Sequence, residues 1–260
     1  FLDDLKFNIY PKIRLFLMSV VLTLIVYFFS YEIRGLELYF LNFLIENILF
    51  KIAFITLCFL FIINGSNLVD GFNGLLGIHL IIVNSILLYI NTMNNQIEFA
   101  FLLTGQIIVL FSFLLFNFPR AKIFLGDGGA YLFGALTALN IINTNNLNPG
   151  ISSFFFCIIL FYLFYEVFFS FFRKIYFKSP PLQPDSFHLH MLTFRLLKKI
   201  KDVSNNNYLT SLVINIFYSL IILPAILFND NGLFCRIWFF FSISFYTLIY
   251  IKLYNNEKHG

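Results

Sequence analysis

Four polar stretches interrupt an otherwise apolar chain, and each carries residue types that do chemistry. FLDDL sets Asp3 beside Asp4. Adjacent carboxylates repel unless a cation or donor offsets them, so the pair is either a solvated turn before Pro11 or a partner for metal or phosphate. INGSNLVDGFNGLLG repeats Asn64, Asn67 and Asp70 at every third position. On a helix these share one face, roughly 5–6 Å apart. A C-terminal cap and turn would account for Gly71 and Asn73, but not for three polar groups on one face of an apolar helix. NFPRAKIFLGDGG holds Asp127 among Gly126, Gly128 and Gly129. Open backbone N–H groups suit phosphate and a carboxylate suits Mg²⁺, whereas a turn or a helix cap is the plainer alternative. Lys122 is either a phosphate contact or an ordinary interfacial cation.

The fourth stretch, SPPLQPDSFHLHMLTFRLLKKIK, brings Asp185, His188, His190 and Arg195 together after a proline-stiffened lead. Imidazole and guanidinium groups donate to diphosphate oxygens. A spacing of two puts both histidines on the same side of an extended segment. Residues 192–201 read as an interfacial amphipathic helix with basic residues toward anionic lipid. Zinc would need three or four convergent ligands, and two histidines without a nearby cysteine do not supply them. Acids and amides for Mg²⁺, with imidazoles and cations for phosphates, describe phosphoryl transfer better than ion transport. Transport would call for polar groups at several mid-membrane positions, where this chain offers only scattered Asn84, Gln106 and Asn140.

The elements that position these groups are set by composition. Of 260 residues, 60% are hydrophobic and 12% charged, above the roughly 45–50% apolar content of soluble domains. The expected fold is therefore an all-α, polytopic transmembrane helix bundle in one domain. Eight apolar spans are predicted at about 13–31, 45–63, 75–91, 99–117, 129–143, 152–172, 209–228 and 234–253. LYFLNFLIENILF suggests an interfacial segment around Glu46 before the second span. The fifth span is short and contains Gly134, a pattern expected to line a cleft. Glu166, inside the sixth, needs a partner or a role at the site.

Alternating the spans gathers 1–12, 64–74, 118–128 and 173–208 on one face, together with the C-terminus. That face and its helix ends carry fourteen of the seventeen Lys and Arg residues; Arg34, Lys51 and Arg236 fall on the other. The bias predicts that the first face is cytoplasmic. All four polar stretches fall on it. The net charge of +4 belongs to this asymmetry and gives no reason to expect nucleic acid.

In order and spacing, these motifs resemble the polyprenyl-phosphate N-acetylhexosamine-1-phosphate transferases, the superfamily of WecA-like enzymes and the phospho-MurNAc-pentapeptide translocase. FLDDLKF followed by PKIRL is similar to the family's Asp-Asp loop and Pro-Lys-x-Arg helix start. Asn64, Asn67 and Asp70 match its Asn-x-x-Asn-x-x-Asp-Gly motif. Asp127 matches its Gly-Asp-x-Gly segment, and PDSFHLHM resembles its Pro-Asp-Arg-x-His-x-His-His loop. NLVDGFNGLLG and HLH look closer to the WecA-like branch.

The resemblance implies transfer of a sugar-1-phosphate from a UDP-N-acetylated sugar to undecaprenyl phosphate, with release of UMP, to begin a glycan such as O-antigen. It implies work at the cytoplasmic face of the inner membrane, with Mg²⁺ or Mn²⁺ held by Asn67 and Asp127. Asp3 and Asp4 would orient the lipid phosphate, Asp70 would hold nucleotide or metal, and His188 and His190 would bind the diphosphate. Asn64, Lys122, Asp185 and Arg195 are the expected substrate contacts. The partners are those two substrates and membrane lipids, with a homodimer left open.

Asn73, Ser186 and Met191 depart from the family's Asp, Arg and third His. Family members have about three spans before the Asp-Asp loop, so the chain is expected to lack its N-terminal part. The alternatives are the peptidoglycan translocase, a transporter or flippase, and an inactive remnant.

Overall fold

The structure is a computed structural model that describes residues 10–33, 36–183, 185–200 and 206–259. Asp3 and Asp4 lie outside the described residues. These form ten α-helices and no strand: α1 (Pro11–Phe28), α2 (Tyr39–Ile45), α3 (Ile48–Val69), α4 (Leu75–Met93), α5 (Ile97–Asn117), α6 (Gly126–Leu147), α7 (Ser153–Tyr176), α8 (Leu189–Ile200), α9 (Asn206–Leu227) and α10 (Gly232–His259). Local signals set several ends. Pro11 opens α1, where its missing N–H costs nothing. Asn47 accepts from Leu49 N at 2.9 Å and Phe50 N at 3.2 Å to cap α3. Ser152 accepts from Phe154 N to cap α7, whose last turn carries Arg173 and Lys174. The short α2 is the segment expected before the second span.

Seven of these helices are long and apolar enough to cross a membrane: α1, α3, α4, α5, α7, α9 and α10. The protein is a polytopic membrane helix bundle. Outer faces of α1, α5 and α10 leave Phe16, Phe101, Ile108 and Leu248 exposed, which suits lipid rather than water. The fifth expected span differs from its prediction. It becomes α6, 22 residues long rather than short. Its C-terminal half carries Asn140, Thr144 and Asn145, all buried. Asn140 donates to Asn84 at 3.0 Å and to Gln106 at 2.7 Å, and Asn91 donates to Thr144 at 2.9 Å. The scattered mid-membrane amides are thus one polar seam joining α4, α5 and α6.

The centre of the bundle is α3, packed against α1, α6 and α7. A Cβ at Gly65 would collide with the backbone carbonyl of Leu163, so α3 and α7 touch main chain to main chain. Gly134, expected to line a cleft, instead lets α6 sit against α3. A Cβ there would lie 2.8 Å from Ser66 Oγ and 3.0 Å from Ile63 Cα. The connections 32–33, 144–151 and 229–236 meet at one end of the bundle, through Asn146 to Glu32 O, Ser152 N to Asn229 O and Arg236 to Glu37 O. The three polar motifs among the described residues meet at the other end.

Candidate active site

Asn67 and Asp70 sit at the last turn and the C-cap of α3, and Asp127 lies in the first turn of α6. Asn67 donates its amide to Asp127 Oδ1 at 2.8 Å. That orientation follows because an ionised carboxylate only accepts. Arg14, from the first turn of α1, donates to Asp127 Oδ2 at 3.0 Å. The carboxyl of Asp70 is pushed up to about 6, first by burial and then by the negative charge of Asp127. Two carboxylates in mutual repulsion, with an amide beside them, form a donor set that a divalent cation would relieve. Among the described residues no group of three His, Cys, Asp or Glu side chains is placed to hold a metal ion. Magnesium does not need such a cage, since it keeps waters and substrate phosphates as ligands. Asn64 turns its amide back to Leu60 O at 2.7 Å.

The turn after Asp70 is fixed from several sides. Gly74 has φ +77°, and a Cβ there would lie 2.6 Å from the Phe118 ring. Asn117 accepts from Gly74 N at 2.6 Å and donates to Ile123 O at 2.8 Å, tying this turn to the segment before Asp127. Asn73, where the resemblance expects an acid, donates to Pro119 O at 3.0 Å and is held by Asn207 at its backbone N. It acts as a clamp between loops.

The histidines arrive from the α7–α8 connection. His188 immediately precedes α8, its backbone O accepting from Leu192 N at 3.0 Å, and His190 lies within the first turn. The extended segment expected here is therefore helical from Leu189 onward, because the apolar periodicity of LHMLTFRLL extends back to the histidines. Their rings remain nearly parallel at 5.6 Å. His188 Nδ1 lies 3.1 Å from Glu166 Oε1, and its Nε2 lies 3.3 Å from Asp185 Oδ1. Asp185 is held by Arg173 at 2.8 Å, with Lys174 at 3.8 Å.

His190 is fully buried and neither ring nitrogen has a hydrogen-bond partner among the described residues. It meets Phe72 edge-on at 5.4 Å and lies beside Gly71, directly after Asp70. Burial pushes its imidazole down to about 4, against the opposing pull of Glu166. Nearby, an apolar groove of about 340 Å³ opens between α7, α8, α9 and α10 past Tyr246 and Leu189, with Lys252 on its wall.

A family profile described as glycosyl transferase family 4 matches residues 1–145. The chain belongs to this family. Among similar proteins is the undecaprenyl-phosphate alpha-N-acetylglucosaminyl 1-phosphate transferase of Thermotoga maritima, 31% identical over 189 residues, covering 73% of this chain and 54% of that protein. The phospho-N-acetylmuramoyl-pentapeptide-transferase of Dictyoglomus turgidum is 34% identical over 151 residues, covering 55% of this chain and 48% of the relative. The enzyme of that name from Clostridioides difficile is 29% identical over 198 residues, covering 70% and 61%. The chain thus spans about half to three-fifths of the length of these curated relatives.

For this family 4 chain, the described residues join three of the four polar motifs: Asn67 to Asp127, and the Asp70–Gly71 turn to His190. Lys122 stays exposed, and no ion pair forms on it among the described residues. Arg195 turns away, donating to Ser186 O at 2.8 Å and lying 3.5 Å from Glu257. Sequence reasoning gave no role at the site to Arg14, Arg173, Lys174 or Tyr246. Arg14 had a signal in the Pro-Lys-x-Arg start; Tyr246, in an aromatic run, had none.

Proposed function

We propose that this chain belongs to a polyprenyl-phosphate sugar-1-phosphate transferase working at the cytoplasmic face of an inner membrane. An oxygen of undecaprenyl phosphate attacks the sugar-bearing phosphorus of a UDP-N-acetylated amino sugar. The bond between the two phosphates of the nucleotide breaks, UMP leaves, and a lipid-linked diphospho-sugar forms. The observation that carries this reading is the carboxylate of Asp127, bonded to Asn67 and Arg14, near Asp70 and the turn that meets His190.

Asp127 and Asn67 would hold Mg²⁺, with Asp70 beside it, and the ion would neutralise charge on the diphosphate. Arg14 limits repulsion between Asp127 and an anionic substrate. His190, held neutral by burial, has no partner on either ring nitrogen among the described residues, leaving one N–H for a phosphate oxygen and one acceptor for a ribose hydroxyl. Asp3 and Asp4 would orient the lipid phosphate, a positioning role since its second ionisation near pH 6 is already mostly complete at neutral pH. The apolar groove beside the site favours a lipid acceptor.

Full-length protein in membranes should exchange labelled UMP into UDP-N-acetylglucosamine, and chelation should stop it. A second reading, UDP-MurNAc-pentapeptide as donor, is favoured by the names of the Dictyoglomus and Clostridioides relatives. The same assay with that donor separates the two. Absence of exchange with both, in folded protein, overturns the reading.

A further inference from the structure

Glu166 lies inside a membrane-length helix, is almost fully buried, and makes contacts beyond those needed to satisfy a stray carboxylate. Its Oε1 accepts from Leu189 N at 3.0 Å and faces His188 Nδ1 at 3.1 Å. Its Oε2 accepts a short hydrogen bond from the Tyr246 hydroxyl of α10. Leu189 N is an orphan donor at the start of α8, where a helix favours negative charge. Glu166 thus caps α8 from a neighbouring helix. Because a carboxylate only accepts, the bond requires the proton of His188 on Nδ1. Asp185, against the other ring nitrogen, is itself charge-paired with Arg173 and Lys174. Both nitrogens of His188 therefore face partners within the protein, while those of His190 have none among the described residues.

We propose that Glu166, anchored by Tyr246, is a positioning residue that holds a proton on Nδ1 of His188 and fixes the N-terminus of α8, and thereby aims His190 at the substrate. His188 then acts through its neighbours, and α10 becomes part of the catalytic architecture. A plain buried ion pair would need neither the bond to Leu189 N nor the hydroxyl of Tyr246. What His190 is aimed at rests on the transferase reading; the Nδ1 proton of His188 and the capping do not.

The test uses full-length protein labelled with ¹⁵N in its histidine rings and held in lipid nanodiscs. The four histidines of this chain are assigned by single substitution. His79, fully buried in α4 against Tyr218, reports on folding. The expected parent spectrum has His188 protonated at Nδ1. Glu166→Ala should abolish that assignment and leave His79 unmoved.

Tyr246→Phe, a milder change, should shift the His188 signal and lower kcat for UMP exchange roughly tenfold to a hundredfold. KM should stay within about twofold, since substrate binding groups remain. A His188 protonated on Nε2 alone in the parent, or a His188 signal unmoved by either variant, overturns the proposal. Should Glu166→Ala lose the His79 signal, Tyr246→Phe decides alone. If the His188 shifts appear but no donor supports exchange, the positioning role stands and the proposed reaction falls.

Discussion

Asn67 on α3 donates to Asp127 on α6 across 2.8 Å, joining two motifs sixty positions apart in the chain. The bond fixes one carboxylate oxygen while Arg14 holds the other, so the charge of Asp127 is placed and partly balanced before any substrate arrives. Asp127→Asn should therefore separate stability from activity. The Arg14 pair is about a third exposed on each side (33% and 36%), and such pairs contribute at most about 1 kcal/mol. Thermal unfolding in detergent should hardly move, whereas UMP exchange should fall by at least about a hundredfold. Equal losses in both would mean that Asp127 is structural.

The convergence of these motifs was legible because each sat at the end of an apolar run and the runs alternated. Asn67 and Asp70 kept helical spacing through the end of α3, and the glycines around Asp127 marked the start of α6. What stayed hidden was tertiary. Tyr246 lies within FFFSISFYTL, where an aromatic stripe reads as lipid-facing, and its partner Glu166 is eighty residues away. The length of α6 was missed because Asn140, Thr144 and Asn145 lower local hydropathy. Their partners on α4 and α5 are what make them tolerable in the bundle, and no local pattern announces a partner.

The polar seam supplies a prediction that leaves the site untouched. Asn140→Leu would strand Asn84 Oδ1 and the Gln106 amide. Interhelical hydrogen bonds in membranes contribute about 1–2 kcal/mol at most, so the thermal midpoint should fall measurably. Asn140 stands thirteen residues after Asp127 on α6, roughly 20 Å along the axis. UMP exchange at a permissive temperature should match the parent. A fall in exchange without loss of stability would reveal coupling through α6 that this geometry gives no reason to expect.

The pH dependence of folding should carry the signature of His190. Its folded value, about 4, lies below the ordinary 6.5 because burial opposes the charged form. Between those values the unfolded chain binds the extra proton, so this contribution is complete above about pH 6.5 and is lost as pH falls toward 4. Asp70, raised to about 6, acts with the opposite sign over an overlapping range. The informative quantity is thus the difference between parent and His190→Gln. Midpoints measured near pH 7.5 and near pH 5 should show a larger drop on acidification in the parent than in the variant. Parallel drops would mean that His190 does not titrate as buried.

Close approach of α3 and α7 makes the sharpest structural prediction. A methyl group at Gly65 would meet the Leu163 carbonyl, and backbone cannot step aside as a side chain end can. Forcing in that methyl should cost about 1–3 kcal/mol or more, the usual range for overpacking. Gly105, on α5, has open space around its would-be Cβ, so Gly105→Ala is the matched control and should leave the midpoint near that of the parent. Leu163 precedes Glu166 by less than one helical turn. Gly65→Ala should therefore also displace the carboxylate that caps α8, and exchange should drop in the fraction that remains folded. Equal midpoints for the two alanine variants would show that α3 and α7 are not in main-chain contact at Gly65.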